Sequence, residues 1–361
     1  MTRSEIEDRM TELKMAGSIT NFTTTRKNLP AALELVFDAM HNSIMPQDEF
    51  DQFKKQMQVM IESMRDKPDA LAQNAITQHF NTYPKGDPRY EYSLDESLEQ
   101  LNKLTVDQVR AFYKEFGGTS RGEISIVGDF DPKTVEKIIR DDYAKYVSKA
   151  HYAPVVTEYR PVKATRVVID TPDKENAIIV ARSVFPINDT APDAPALTVA
   201  NWILGGGTGL SNRLIERLRQ KEGLSYGAGS HVRIPAKGDS GSFVFRAIVA
   251  PQNMLQAEAS ARDVIAKAIK DGFTDQEVEE AKKGLLQAMQ VARSQDDVVA
   301  RSWNDKMENQ RTWVFSKKQA EAISKLTTAD VNAALRKYIK PDEITFVLAG
   351  DQKKAAQKKQ D

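Results

Sequence analysis

The 361-residue sequence contains no cysteine, and this absence removes several kinds of chemistry at once. A chain without cysteine forms no disulfide, has no thiol nucleophile, and cannot bind zinc or an iron–sulfur cluster through thiolates. It leaves the compartment open, since disulfide-free proteins occur in oxidising and reducing surroundings alike. A net charge is also absent, because 51 Lys and Arg residues balance 51 Asp and Glu residues. Nucleic acids and anionic membranes attract a basic excess, so neither is expected as the main partner.

Long apolar runs are missing as well. No stretch approaches the roughly 20 apolar residues that span a bilayer, so no membrane segment is expected. The first residues, MTRSEIEDRM, are polar and charged, unlike a signal peptide. Apolar residues at 40% and charged residues at 28% are close to globular averages. A folded chain of this length is long enough for two domains.

Histidine is scarce, with four residues at His41, His79, His151 and His231. A hydrolytic zinc site usually needs three protein ligands, often including two histidines one helical turn apart. No two of these histidines have that spacing, and the sequence from His79 is HFNTY. Glu62 alone cannot hold a metal ion and is expected to be a solvated or capping carboxylate. We therefore expect no metal site within this chain.

The apolar spacing predicts an α+β fold. Helices are predicted where apolar side chains recur every three or four residues. Strands are predicted where short runs rich in β-branched residues lie between turn formers. The helices are Asp48–Arg65, with Phe50, Phe53, Met57, Met60, Ile61 and Met64 on one stripe, and Thr274–Met289, with Val278, Ala281, Leu285 and Met289. The strands are Glu123–Val127, Ala164–Ile169, Ala177–Ser183, Ser225–Arg233, Ser240–Ile248 and Ile344–Leu348.

Two stretches of the sequence occur twice, in the same order. MPQDEFDQFKKQMQVMIESMRDKPDALA, from Met45, aligns without a gap with FTDQEVEEAKKGLLQAMQVARSQDDVVA, from Phe273. LTVDQV, from Leu104, leads to ISIVGD, just as LTTADV, from Leu326, leads to ITFVLAGD. Each second stretch predicts a helix with a threonine cap, then a strand ending in Gly-Asp. The paired order indicates a duplicated domain.

The duplication implies domain boundaries. A first domain is predicted at residues 1–148, a linker at 149–163, a second domain at 164–351 and a flexible, lysine-rich tail at 352–361. If residue 45 matches residue 273, then residue 1 matches residue 229. The part of repeat two from about residue 164 to 229 therefore has no counterpart in repeat one. The first domain is expected to lack its N-terminal part, either because that domain is naturally short or because the part was removed.

The segment NWILGGGTGLSNRLIERLRQKEGLSYGAGSHV, Asn201–Val232, resembles the pitrilysin/insulinase family of zinc metallopeptidases. So do ISIVGDFDPKTV, from Ile124, FTDQEVEEAKKGLL, from Phe273, and ISKLTTADV, from Ile323. The resemblance implies a half-shell of two tandem homologous domains, each an antiparallel sheet with helices packed on one face. In this family two half-shells enclose a chamber that holds a peptide. One half binds zinc through an HxxEH helix and a downstream glutamate, and the other half lacks that motif, as this chain does.

The resemblance assigns substrate-binding roles to Arg219 and Tyr226, which resemble the Arg/Tyr pair that the non-zinc half contributes to the chamber. An arginine offers a rigid set of donors that suits peptide carbonyls or a carboxylate. A phenol can donate a hydrogen bond to a developing oxyanion. From the residues alone, the favoured interpretation is that Arg219 is an exposed arginine near a helix end and Tyr226 an ordinary strand tyrosine half in the core.

The glycines Gly205–Gly207 and Gly209 invite comparison with a phosphate-binding loop. They follow an apolar helical segment rather than a strand, and no lysine-hydroxyl ending is present. A helix break with close backbone packing explains them better. Ser211 and Ser225 have no His-carboxylate set nearby, so a serine nucleophile is not expected.

The resemblance implies an accessory half without chemistry of its own, whose zinc is expected in an HxxEH-bearing partner half of the same protein or of a separate subunit. Peptides are the expected substrates. Two alternatives stay open: a structural half-shell subunit, and a stand-alone peptide-binding module. The compartment also stays open, although related two-half bacterial chains are often exported, which favours the periplasm.

Overall fold

A computed structural model describes residues 1–207 and 212–357. The chain falls into two units, each assembled from separate stretches of sequence. Unit 1 comprises Met1–Met60, Leu98–Pro154 and Ala292–Gln310. Unit 2 comprises Ile61–Ser97, Val155–Val291 and the residues from Arg311 onward. No helix among the described residues is long and apolar enough to cross a membrane.

The helices and strands are given in chain order. The helices are α1 (Arg3–Glu12), α2 (Leu29–His41), α3 (Gln47–Met64), α4 (Pro68–His79), α5 (Leu94–Lys103), α6 (Val106–Phe116), α7 (Pro132–Asp141), α8 (Ala194–Asn201), α9 (Arg213–Ile215), α10 (Met254–Asp271), α11 (Asp275–Ala292), α12 (Asp296–Glu308), α13 (Trp313–Lys325), α14 (Thr328–Tyr338) and α15 (Gln352–Gln357). Two π-helical segments, Trp202–Gly206 and Glu216–Lys221, extend α8 and α9. The strands are β1 (Ala16–Ser18), β2 (Asn21–Thr23), β3 (Arg166–Asp170), β4 (Ala177–Pro186), β5 (Ser225–Arg233), β6 (Ser240–Val249) and β7 (Thr345–Gly350).

Unit 2 is built on a sheet whose strand order is β3-β7-β4-β6-β5. The strand predictions for β3 to β7 are confirmed, with every end within three residues of the predicted one. The expected all-antiparallel arrangement is wrong, because β3 and β7 run parallel while the other neighbours run antiparallel. The connection from β3 to β7 spans most of unit 2, and such a long crossover permits parallel pairing.

Helices cover both faces of this sheet, not one face as expected. On one face, Phe243 and Phe245 of β6 pack in a core with Leu197 of α8 and Leu335 of α14. On the other face, Ala72 and Ile76 of α4 pack against β4 and β7. The central strands are apolar on both sides, through residues such as Ile178 and Ile179, so both sides must be shielded from water.

Unit 1 carries a predicted strand that does not form. Residues Glu123–Val127 are neither helix nor strand, and Ile124 is exposed. Their counterpart in the repeat alignment is β7, which lies between β3 and β4. Within the described part of unit 1, only the short hairpin β1–β2 forms strands. A strand is stable only with a neighbour that completes its hydrogen bonds, and here no neighbour is available.

The two predicted helices form, as α3 and α11, but their apolar stripes are buried to different extents. In α11, Val278 and Ala281 are buried, and Leu285 and Met289 pack against the core of unit 2. In α3 only Ile61 is buried, while Phe53 and Met60 are exposed. A helical spacing predicts a helix, but it does not say whether something covers the apolar side.

The end of the chain differs from the expected flexible tail. Gln352–Gln357 form α15, and its residue Ala355 is buried. The Asp351 carboxylate accepts hydrogen bonds from the backbone N–H groups of Lys354 (3.0 Å) and Asp173 (2.9 Å). An acidic residue that accepts from N–H groups at a helix start stabilises that start. Residues 358–361 lie outside the described residues.

Hydrogen exchange tests whether Glu123–Val127 lacks the strand that its counterpart in the repeat alignment, β7, forms. The amides of Ile124, Ile126 and Val127 are expected to exchange rapidly, because no ladder protects them. The amides of Phe346, Leu348 and Ala349 in buried β7 are expected to exchange at least 100-fold more slowly. The measurement is native-state exchange followed by mass spectrometry of peptides. Similar protection of both segments would contradict the described fold of unit 1.

Candidate functional site

Arg219 and Tyr226 lie on one helix–turn–strand segment of unit 2, at residues 212–233. The helical part begins at Asn212, whose side chain accepts a hydrogen bond from the Ile215 N–H at 2.9 Å. An asparagine in this position satisfies a donor at the start of a helix. The segment continues as a π-helix over Glu216–Lys221, turns, and enters β5 at Ser225. π-Helical turns are rare and often lie at functional sites.

Arg219 projects from the π-helical segment into solvent. Its neighbours have partners: Arg217 pairs with Glu222, and Lys221 pairs with Glu216 at 2.8 Å. Among residues 1–207 and 212–357, nothing accepts a hydrogen bond from the Arg219 guanidinium. Its donors are therefore available to a ligand.

Two buried leucines hold the turn between Arg219 and Tyr226. Leu218 and Leu224 are both buried, and the Leu224 N–H donates to the Leu218 carbonyl at 2.8 Å. Between them, Gly223 has a φ of +61°, a conformation that side chains disfavour. A glycine is needed here for its backbone freedom alone, because a Cβ at this position would meet no atom within 4 Å.

Tyr226 is the extra residue of a β-bulge. Ser225 pairs with Val249 and Gly227 with Ile248, so Tyr226 has no partner residue in β6. The Ser225 hydroxyl lies 2.8 Å from the Gly227 carbonyl and 2.9 Å from the Ile248 carbonyl, and accepts from the Gly227 N–H at 3.1 Å. These contacts fix the bulge, which redirects the tyrosine outward. The Tyr226 side chain is 67% exposed, unlike that of an ordinary strand tyrosine packed partly into the core.

An ion pair fixes the start of the helical segment to α11. The Arg213 guanidinium donates to both oxygens of Glu277, at 2.7 and 2.8 Å, and to the Gly272 carbonyl at 3.0 Å. Burial of the Glu277 carboxyl opposes its ionisation, but hydrogen bonds from Arg213 and Thr274 outweigh that effect and lower its pKa. Two parallel N–H···O bonds restrict orientation as well as distance.

A second polar network supports the turn itself. Glu222 accepts from Arg217 through one oxygen and from the Ser260 hydroxyl of α10, at 2.6 Å, through the other. Arg217 also lies 3.5 Å from the Asp263 carboxylate. Neither Glu222 nor Glu277 stands out in the sequence as a residue that positions the site. For Glu222, the nearby opposite charge of Arg217 in the same motif could have suggested an ion pair beside the turn.

The chemistry available at this site is hydrogen-bond donation. Arg219 offers a permanent cation, and Tyr226 offers a hydroxyl that no described residue engages. Across the described ranges, no three His, Asp or Glu side chains are close enough to hold a metal ion. The Glu62 carboxylate, which was considered above as a metal ligand, forms an ion pair with Arg65 at 3.0 Å near the surface.

The glycine run is explained by close packing. A Cβ on Gly205 would lie 2.5 Å from the Ser230 Oγ atom of β5, and the π-helix ends at Gly206. The expected helix break with close backbone approach is therefore confirmed for Gly205–Gly207. Gly209 and Ser211 lie outside the described residues.

Replacing Gly223 tests the strained turn. Gly223→Ala is expected to lower the free energy of unfolding by about 1–2 kcal/mol, because alanine disfavours a positive φ. Gly122→Ala is the matched control, since Gly122 also has open space at its Cβ but no positive φ. Urea unfolding of both variants makes the comparison. Equal effects would remove the argument that backbone strain shapes the turn.

The Arg213–Glu277 pair predicts a pH dependence. Since the folded pKa of Glu277 is lowered, its contribution to stability is present above the unfolded value, about 4.3. The contribution is lost as the pH falls through the lower folded pKa. Glu277→Gln is expected to destabilise the protein most at pH 7 and progressively less below about pH 4. Chemical unfolding at a series of pH values measures this, and a pH-independent difference would contradict it.

Half of the sequence matches a known protein family. Residues 103–285 match the family model described as the peptidase M16 inactive domain. An uncharacterized zinc protease of Mycobacterium tuberculosis is 24% identical over 297 residues, which cover 79% of this chain and 66% of that protein. The non-peptidase homolog YmxG of Helicobacter pylori is 21% identical over 259 residues, covering 71% and 58%. The chain thus spans less than two thirds of the length of these relatives.

A solved structure has the same fold. The crystal structure of a peptidase M16 inactive domain from Pseudomonas fluorescens superposes with a TM-score of 0.80, covering 97% of this chain and 84% of that one. Its 20% sequence identity supports the fold alone. The resemblance to pitrilysin-type peptidases is confirmed by the family match, which covers half of the sequence. On that match, the chain belongs to the peptidase M16 inactive-domain family.

Proposed function

We propose that this chain is the accessory half of a zinc metallopeptidase, which pairs with an HxxEH-bearing half and positions peptides for hydrolysis. The observation that carries the proposal is the state of Arg219 and Tyr226. Their polar groups have no partner among the described residues, although the backbone beneath them is held by buried leucines and a pinned bulge. Hydrogen-bond donors that the fold holds in position and leaves unpaired are suited to bind and orient a ligand.

Membership of the family supports this function. Inactive M16 domains typically lack the zinc site and typically pair with a catalytic half. Zinc in that partner would supply the activated water. The residues of this chain would bind and orient the peptide: Arg219 by donating to a carbonyl or carboxylate, and Tyr226 by donating to the carbonyl oxygen as its negative charge develops.

A structural role without catalysis is the alternative. Relatives include both proteins named zinc proteases and one named a non-peptidase homolog, so membership alone does not separate the two functions. A stand-alone peptide-binding module is a third possibility. It predicts peptide affinity in the absence of any partner half.

We also propose that the chain arose by duplication, and matching contacts in the two units support this. The Lys54 ammonium donates to the Leu104 carbonyl at 2.9 Å, and Lys282, its counterpart, donates to Leu326 at 2.8 Å. In both units a threonine capping box follows that leucine directly, at the start of α6 and of α14. Equivalent contacts at equivalent positions are expected of copies of one supersecondary unit.

Repeat one is proposed to be the shortened copy. Phe112, Tyr113 and Phe116 of α6 are 60%, 47% and 48% exposed. Their counterparts in α14, which are Ala334, Leu335 and Tyr338, are buried in the core of unit 2. The elements that cover α14 include α8 and β4, and no element among the described residues of unit 1 covers α6 in the same way. Exposure of the same helix face in one copy only is what a missing cover produces.

Reconstitution with an HxxEH-bearing half tests the catalytic role. Tyr226→Phe is expected to lower kcat by about 100-fold, the loss typical of one oxyanion donor. Arg219→Gln is expected to raise KM by about tenfold or more, because it removes a charged hydrogen bond to the peptide. Tyr113→Phe, another exposed tyrosine, and Arg301→Gln, an exposed and paired arginine, are the matched controls.

Peptide hydrolysis by each mixture is followed with a fluorogenic substrate. The chain alone is expected to bind no stoichiometric zinc and to cleave nothing. Chelator-sensitive cleavage by the isolated chain would contradict an accessory role. Unchanged turnover in both Arg219 and Tyr226 variants would favour the structural alternative.

A further inference from the structure

Part of one sheet face in unit 2 is left open by the described residues. Helix α4 packs on this face over β7 and β4. Further across the sheet, Val244 and Ile248 of β6 are only half-buried, and His231 and Arg233 of β5 are exposed. On the opposite face every residue of β6 from Phe243 to Val249 is buried. We call this uncovered area of β6 and β5, with the neighbouring Arg182 of β4, the open face.

Positively charged side chains are concentrated on the open face. Arg182 pairs across the strands with Val244, which pairs with His231, so these three side chains share one side of the sheet. Arg246 and Arg233 lie on the same side, two positions from Val244 and from His231. Arg246 already has a partner, since it donates to the Asp69 carboxylate of α4 at 2.6 Å.

Arg182 is held in place but not satisfied. Its guanidinium lies over the Phe80 ring at 4.8 Å, and its buried Nε–H has no hydrogen-bond acceptor within the described parts of the chain. Burial lowers the pKa of Arg182, nearby Arg233 lowers it further, and Glu91 raises it. Arg182 and Arg233 are therefore near enough to repel each other, and the exposed Glu91 carboxylate partly offsets that repulsion. Buried donors of this kind are usually paired.

Arg233 completes the set. Its guanidinium makes no hydrogen bond or ion pair with any residue that the structure describes. Because Asp69 neutralises Arg246 and Glu91 offsets one further charge, the local excess is close to a single positive charge. That excess matches one carboxylate better than a phosphate dianion or a polyanion.

We propose that Arg182 and Arg233 bind the carboxylate of an aspartate or glutamate side chain in an extended peptide lying across the open face. The carboxylate would accept from Arg233 and from the terminal N–H groups of Arg182, which are not fully buried as Nε is, and would relieve the repulsion between the two cations. This inference concerns binding alone and does not depend on a partner half or on the roles of Arg219 and Tyr226.

The shape of the open face favours an acidic side chain over a chain terminus. Gly227 of β5 lies on the same side as His231, and a Cβ there would meet no atom within 4 Å, so an extended backbone can pass close above it. β5 is also the last strand of the described sheet. An extended peptide directs alternate side chains to one side, so one acidic residue can reach inward while the chain continues in both directions.

Fluorescence anisotropy with the intact chain tests the proposal. The probe is a labelled, C-terminally amidated peptide of threonine, valine and serine with one central glutamate, and its partner probe has glutamine there. The glutamate peptide is expected to bind about tenfold more tightly, with a preference that weakens as salt is added. Arg233→Gln, at an exposed position, is expected to abolish the preference without unfolding the protein. Arg140→Gln, an exposed arginine of α7, is the control that keeps it.

Charge reversal makes the test sharper. Arg233→Glu is expected to lose the glutamate peptide and to prefer the same peptide with lysine at the centre. Equal binding of the glutamate and glutamine peptides, or no binding of either, would overturn the proposal. Tight binding of the glutamine peptide only when its C-terminus is a free acid would overturn the side-chain assignment. Arg219→Gln and Tyr226→Phe are expected to keep the glutamate preference, so failure here is separate from failure of the proposed function.

Discussion

The sheet of unit 2 has apolar side chains on both sides of its central strands, and the need to shield both sides organises that unit. The larger core, with α8, α10 and α14, covers one side completely. The other side depends on α4, a helix of 12 residues and so about 18 Å long. It shields β7 and β4 but leaves the outer part of the sheet uncovered among the described residues. Arg233 and Arg246 of the open face lie where the apolar cover ends, and both are exposed to water.

Local patterns in the sequence predicted the elements whose stability is local or whose partners lie nearby. The run of β-branched residues in Ala177–Ser183, the threonine caps before α6 and α14, and the helical stripes of α3 and α11 all correspond to observed elements. Glu123–Val127 has the same strand pattern, yet it forms no strand, because strand formation requires a neighbour that pattern alone cannot supply. The cover provided by α4 was missed for the same reason, since it joins residues far apart in sequence.

At the candidate site, sequence resemblance identified Arg219 and Tyr226 but not how they are held. The bulge depends on a register shift between β5 and β6, and the Ser225 hydroxyl that fixes it reaches β6. Glu222 and Glu277 act through Ser260 and Arg213, contacts that no linear spacing reveals. Arg182 could have been noticed in the sequence, because it is the one charged residue in a mostly apolar strand. It lies two residues after Val180 and therefore on the same side of that strand. A buried arginine in that position either pairs with an anion or leaves a hydrogen-bond donor unsatisfied, which is energetically costly.

Each of the two units includes a helix from the other half of the sequence. Residues 61–97, which include α4, lie early in the chain but belong to unit 2, while residues 292–310, which include α12, belong to unit 1. Because α4 packs on one face of the unit 2 sheet, that unit needs residues from both halves of the chain. Neither unit can therefore be produced on its own as one contiguous stretch of polypeptide.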